Sequence, residues 1–312
     1  MRLSTTYYSL FSTFDFPNYE EFRASAYRQI FDLPESIVFY MAKNPPSSEI
    51  HRKMIQCCKY FFIKNPILHF HCLHFDGENG WKTCINENCL GPKNAEYQKI
   101  DLDMDKIQSK IWIDFDLSLF SSNPAFASSL IPKLYNGNVK SLQIYEQKIS
   151  FNDLLFFSKE MKQIVLDGST VVYQNGNEVP YEIILFFLPK LRNFIVDRYS
   201  KNAASNVFYD FSNTVKELLR IPNFKNLTGI VFYGVTESFD VTAFYNYFKD
   251  MKDVRASLKY YGLLSEEYTE KLQSITDEIL EGEYSKNYFP FYIVFNGQFR
   301  QNKLKLLYNK YW

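Results

Sequence analysis

Glycine is scarce here, 11 in 312 residues. None falls in a phosphate-cradling loop or a Gly-x-Ser-x-Gly nucleophile elbow. Histidine is scarcer still. The four, His51, His69, His71 and His74, all lie upstream of residue 75, so a Ser–His or Cys–His dyad would have to span both halves of the chain. An excess of either charge is missing too, with 35 basic and 35 acidic residues. No overall field draws the chain to nucleic acid or an anionic membrane. Long apolar runs are absent: stretches such as Ile183 to Pro189 fall far short of the ~20 residues of a membrane helix. The opening MRLSTTYYSLFSTFDF has one basic residue and no sustained apolar centre, unlike a signal peptide. The five cysteines, Cys57, Cys58, Cys72, Cys84 and Cys89, are odd in number and crowded together. That pattern fits a reducing compartment, cytoplasm or nucleus, better than a disulfide framework. The sequon at Asn226 is then read as coincidence.

Core-forming residues are plentiful. Hydrophobic types make up 46% and aromatics 18% of the chain, with 30 Phe and 24 Tyr, ample for a core and against wholesale disorder. Paired carboxylates such as Glu266-Glu267 and Asp114/Asp116 read as solvated faces. Cys57 and Cys58 read as small apolar helix residues rather than nucleophiles. No enzyme and no cofactor are expected.

The most organised stretch is Leu33 to Leu68. Asp32 is a suitable N-cap, Pro34 fits a first helical turn, and Ile37, Val38 and Met41 form a helical stripe. Asn44-Pro45-Pro46 stops that helix. Ser47 or Ser48 can cap a second, with Ile50, Met54, Cys57 or Cys58, and Phe61 on its apolar face, closed by Lys64-Asn65-Pro66. Helices this short and close read as a module that packs on something else.

Leu33, Pro34, Ile37, Met54, Cys58, Lys59 and Phe61 together resemble an F-box: Leu-Pro opening a helix, then an amphipathic helix ending in Cys-Lys-x-aromatic. Phe61 stands where such families usually carry tryptophan, and the Pro45-Pro46 break departs from their pattern. With CKYFFIKNPI following, the stretch is similar to nematode-expanded F-box families with a leucine-rich-like C-terminal half. The resemblance implies that Leu33, Pro34, Ile37, Met54, Cys58 and Phe61 dock a Skp-type adaptor within a cullin complex, the rest of the chain choosing an unknown protein substrate. A plain helical hairpin capping a larger domain is the alternative.

ILHFHCLHF (residues 67–75) reads as a strand, residues 76–80 as a turn, and Trp81 to Ile85 as its antiparallel return. The nearby histidines and cysteines invite a zinc reading. Linear spacing argues against it, since no Cys-x-x-Cys or His-x3–5-His pair faces a second one. Asp101, Asp103 and Asp105 lack the glycine and glutamate of a calcium loop and suggest a solvated edge.

Beyond residue 110, short strands alternate with amphipathic stretches. The strand pairs are Ile111/Ile113, Leu142/Ile144, Ile164/Leu166, Phe194/Val196, Ile230/Phe232, Leu258/Tyr260 and Tyr292/Val294. SLQIYEQKI and QIVLDGSTV each add an apolar residue, Ile149 and Val171, seven after the first. This resembles a degenerate leucine-rich-repeat solenoid without an asparagine ladder; a generic α/β domain with right-handed crossovers is the other reading. Strand positions facing away from the helices would be Gln143, Tyr145, Val165, Asp167, Ile195, Asp197, Val231, Tyr233, Ile293 and Phe295. Tyr145, Asp167, Asp197 and Tyr233 are the candidate target contacts, because rigid aromatics beside acids suit protein recognition.

The expectation is therefore α/β: residues 1–27 an extension, 28–68 an F-box-like helical module, 69–110 connecting strands and linker, and 111–312 a repeat-like domain with a curved parallel sheet. Its function is expected to be substrate recognition for a cullin–RING ligase, with a non-enzymatic interaction scaffold as the alternative.

Overall fold

A computed structural model of the protein describes residues 19–27, 29–84, 99–199, 209–285 and 287–311. The chain forms two compact units, one of residues 1–120 and 129–139, the other of residues 121–128 and 140–312.

The described residues of the first unit open with four short helices, α1 (Tyr19–Ala24), α2 (Glu35–Lys43), α3 (Ser48–Cys57) and α4 (Lys59–Lys64). Helix α2 starts after Pro34, which holds an extended backbone and caps it through its carbonyl alone. Asp32 therefore does not cap it, a correction to the sequence reading. Ser47 caps α3 as expected, its hydroxyl accepting from the Ile50 N–H at 3.2 Å. The expected single second helix is broken. Cys58 is extended (φ −155°, ψ 127°), and its sulfur accepts from the Tyr60 N–H, restarting the chain as α4. Cys57 ends α3 exposed, so it is not the small apolar contact expected of it.

Strands β1 (Ile67–Asp76), β2 (Gly80–Cys84), β3 (Lys99–Leu102) and β4 (Lys110–Phe120) follow. They lie in the order β4-β1-β2-β3. β1 and β2 pair antiparallel around the 76–80 turn, as read from sequence. β3 adds antiparallel to β2, and β4 runs parallel to β1. Cys89 lies outside the described residues.

Helix α5 (Phe126–Leu130) lies where the chain passes between the units, and the second unit is then built on strand, turn and helix. In chain order it contains β5 (Ser141–Tyr145), β6 (Lys148–Ser150), α6 (Phe151–Phe157), β7 (Gln163–Asp167), β8 (Thr170–Val172), α7 (Tyr181–Phe186) and β9 (Asn193–Asp197). Next come α8 (Thr214–Leu218), β10 (Gly229–Val235), α9 (Val241–Phe248), β11 (Arg255–Tyr260), α10 (Glu266–Glu281), β12 (Tyr292–Val294) and α11 (Gln301–Tyr311). β5, β7, β9, β10, β11 and β12 pair in that order, every pair parallel. The chain is thus mixed α/β with a large, mostly parallel sheet. Every strand pair read beyond residue 110 lies on or beside a strand.

One side of the second unit's sheet is core. Leu142, Ile164, Phe194 and Ile230 stand in one register row, and Ile144, Leu166, Val196, Phe232, Leu258 and Ile293 in the next, all buried. Helices α7 and α9 pack there through Tyr181 and Phe244. Register puts Ile293 in this row, so the sequence reading of β12 was one residue out of phase. Tyr292 and Val294 take the other face, and Phe295 is buried rather than on the open side. The run FPFYIVF is apolar at each position from 289 to 295, so no alternation fixes its phase.

The two closely matching sequence units fold alike. Ile149 and Val171 pair in a second, two-stranded parallel sheet of β6 and β8, both buried. Each turn into that sheet has one left-handed residue, Glu146 (φ 54°) and Gly168 (φ 57°). The Glu146 N–H donates to the Asp167 carbonyl, and the Gly168 N–H to that of Asp197. Buried Gln147 and Ser169 hold these turns, with the Gln147 N–H donating to Ser169 Oγ at 2.9 Å.

Candidate functional site

In the second unit, the sheet face turned away from the core carries the expected target contacts. Tyr145, Asp167, Asp197 and Tyr233 stand side by side on β5, β7, β9 and β10, and Lys259 of β11 continues the row. Sequence reasoning missed Lys259, although its position one residue after Leu258 was signal enough. A second row runs Gln143, Val165, Ile195, Val231, Ser257 and Tyr292. Most of these side chains are half-exposed, which is unusual for a parallel sheet, normally covered on both faces.

The centre of the row is charged and aromatic. Lys259 Nζ lies 5.8 Å from the Tyr233 ring centre and 4.8 Å from that of Tyr261. Burial pushes the Asp197 carboxyl up, opposed by the Tyr199 N–H, the Lys259 charge and the Tyr261 hydroxyl. Burial likewise raises the Tyr233 hydroxyl. Helix α11 closes one end of the face, its Tyr308 stacking on Tyr292 at 4.4 Å. The face thus sets aromatic rings, carboxylates and one lysine side by side on adjacent strands.

In the first unit, the expected adaptor contacts divide. Leu33, at 52%, Pro34, and Ile37, at 46%, are exposed, while Met54, Cys58 and Phe61 are half-covered. Phe61 lies on α4 with its ring 5.9 Å from that of Phe31. Val38 and Ala42 are the α2 residues that bury. Tyr40, Met41 and Ile50 extend the exposed apolar set. A helix normally hides such a stripe against its own protein.

Helix α3 is fixed to the sheet by His51. It is fully buried, and its Nδ1 lies 2.8 Å from His69 Nε2 on β1. Burial first, then His51 and Arg52, drive the His69 imidazole down to about 3, and burial lowers His51 as well. Two neutral rings can share one proton between these nitrogens, but two imidazolium rings repel. Unfolded histidine titrates near 6.5. Below that pH the unfolded chain holds the extra proton, so stability is complete above about 6.5 and is lost as pH falls toward 3. Melting temperature is expected to fall between pH 7.5 and pH 5.5, and to fall less in His69→Gln. Equal pH slopes for the two proteins would refute this.

The hairpin buries a second polar group. Register places Cys72 opposite Asp116 of β4 and, one step beyond the Leu73–Thr83 pair, opposite Cys84 of β2. Cys72 and Cys84 are joined as a disulfide, with Cα atoms 6.1 Å apart. Among the described residues this is one cross-link, where the cysteine pattern had pointed to a reducing compartment. His74 Nε2 lies 3.7 Å from Cys84 Sγ, and its Nδ1 lies 3.6 Å from Asp116 Oδ2. All four are buried, Asp116 to 3% exposure, which corrects its reading as a solvated carboxylate. Asp114 is mostly covered too, 3.7 Å from Arg52.

No family model and no curated protein matches the chain. Among the described residues no helix is long and apolar enough to cross a membrane.

Proposed function

We propose that the protein is a substrate receptor of a cullin–RING ubiquitin ligase. Its N-terminal helices hold a Skp-type adaptor, and the open sheet face of the second unit holds a protein target. The mechanism is proximity: with target and ligase on one chain, ubiquitin transfer becomes effectively intramolecular. One observation carries the reading. Leu33, Pro34 and Ile37, the residues of the F-box resemblance, remain exposed beside Tyr40 and Met41 instead of being covered from within. A helical cap serving only its own fold would bury them. The half-covered Met54, Cys58 and Phe61 favour the alternative, an interaction scaffold that binds no adaptor.

Co-precipitation with a purified Skp-type adaptor separates the two. Wild-type protein is expected to capture it. A Leu33→Ala/Ile37→Asp pair is expected to lose capture, since one anchor at the centre of an interface is worth ~2 kcal/mol, roughly thirtyfold. Both substituted residues are exposed, so circular dichroism should not change. Tyr145→Ala and Tyr233→Ala should do the reverse, sparing the adaptor and weakening the target. If wild-type protein captures no adaptor, the ligase reading fails and the scaffold takes its place.

A further inference from the structure

We propose that Cys72, His74 and Cys84 are a redox-gated site for a thiophilic divalent cation, of which zinc is the natural probe. The reduced pair holds the ion as two thiolates, and the disulfide releases it. This is independent of the ligase reading.

The donor atoms of the three side chains lie within 4.8 Å of one another. They come from paired strands and share one sheet face, so the backbone ladder fixes their approach. Linear spacing hid this. Cys72 and Cys84 are twelve apart in sequence, but a tight turn makes them neighbours.

His74 separates a metal centre from a simple cross-link. A structural disulfide needs no imidazole beside it, and burying a histidine with a carboxylate is costly. Here Nε2 faces Cys84 Sγ while Nδ1 faces the Asp116 carboxylate. That is the carboxylate–histidine–metal geometry, in which the carboxylate fixes the tautomer and makes the free nitrogen a better ligand. Asp116 is thus a positioning residue. Two thiolates and one imidazole favour zinc over calcium or magnesium, and leave one tetrahedral position for water.

The two states exclude each other. On binding, each thiol gives up its proton as a metal–sulfur bond forms. On oxidation by a peroxide, both metal–sulfur bonds break and the sulfurs join, giving up two electrons. Hydrogen peroxide accepts those electrons with two protons and leaves as two waters. A dithiol reductant reverses the change by thiol–disulfide exchange.

The test uses the full chain, reduced with a dithiol, loaded with zinc and desalted. Elemental analysis should find about one zinc per chain by the tetrahedral-site stoichiometry. Cys72→Ser and Cys84→Ser should lose it. Hydrogen peroxide should release the zinc with loss of two titratable thiols, and dithiol should restore both. Cobalt loaded into wild-type protein should show a thiolate-to-cobalt charge-transfer band, which reads the ligands even where a serine variant does not fold. Reduced, folded protein that retains no zinc overturns the proposal. So does zinc that survives in both serine variants, or that peroxide does not displace.

Discussion

Truncating Phe232 to alanine is expected to destabilise the second unit by about 3–5 kcal/mol, a large share of the ~5–15 kcal/mol that holds a typical domain folded. Phe232 is fully buried at the middle of the sheet's core face. Its ring centre lies 5.6 Å from Tyr181, 5.7 Å from Phe194 and 5.9 Å from Phe239. These come from α7, β9 and the approach to α9, so they cannot collapse together into the space left behind. The cavity should persist, placing the cost at the upper end of the range. Denaturant unfolding followed by a probe in the second unit measures it. Phe186→Ala is the control, since Phe186 is 57% exposed and should change stability by ~0.5 kcal/mol or less. Equal midpoints for Phe232→Ala and wild type would show that this aromatic core is not what holds the strands.

The same residue shows what made the fold legible. Ile230 and Phe232 alternate with Val231 and Tyr233, and that alternation marked a strand and its inward face. Wherever polar or small residues interrupt the apolar ones, as at Gln143, Asp167 and Asp197, the register agrees with the sequence. β12 went wrong because nothing polar interrupts it. The break at Cys58 went unseen because CCKYFFIK is apolar on several helical faces, and the local capping by the Cys58 sulfur has no sequence signature.

The candidate sites differ in the same way. The row Tyr145, Asp167, Asp197 and Tyr233 could be read in advance, because parallel strands of equal phase place equivalent positions side by side. The approach of Cys84 to Cys72 and His74 is not legible from ligand spacing counted along the chain. A metal site on a hairpin is defined across the ladder, where two residues i and j meet whenever the turn lies midway between them. Asp116 comes from a strand more than thirty residues further on, and no local pattern announces it.

Replacing Arg198 with methionine is the other change expected to be severe, at about 3 kcal/mol. The Arg198 side chain is 9% exposed, its guanidinium paired with Glu178 and donating to the Tyr181 hydroxyl at 3.3 Å. Its carbon also lies 5.4 Å from the Tyr209 ring. Methionine fills much of the same volume, so the loss is of charge and hydrogen bonds rather than packing. What remains is a fully buried tyrosine hydroxyl and a carboxylate without its cation. Glu178 keeps some access to water, which holds the cost near the low end of the ~3–5 kcal/mol usual for breaking a buried pair. Adding Glu178→Gln removes the stranded charge, so the double variant should be more stable than the two single losses sum to. The site should feel the change as well. Arg198 follows Asp197, its N–H donates to the Tyr233 carbonyl at 3.0 Å, and Gly234 packs against it so closely that a Cβ there would meet Arg198 Cβ at 2.6 Å. Loosening Arg198 therefore loosens Asp197 and Tyr233 together, and target binding should weaken more than with Tyr145→Ala. Strict additivity in the double variant, or unchanged stability of Arg198→Met, would show that the buried pair contributes nothing to holding this end of the sheet.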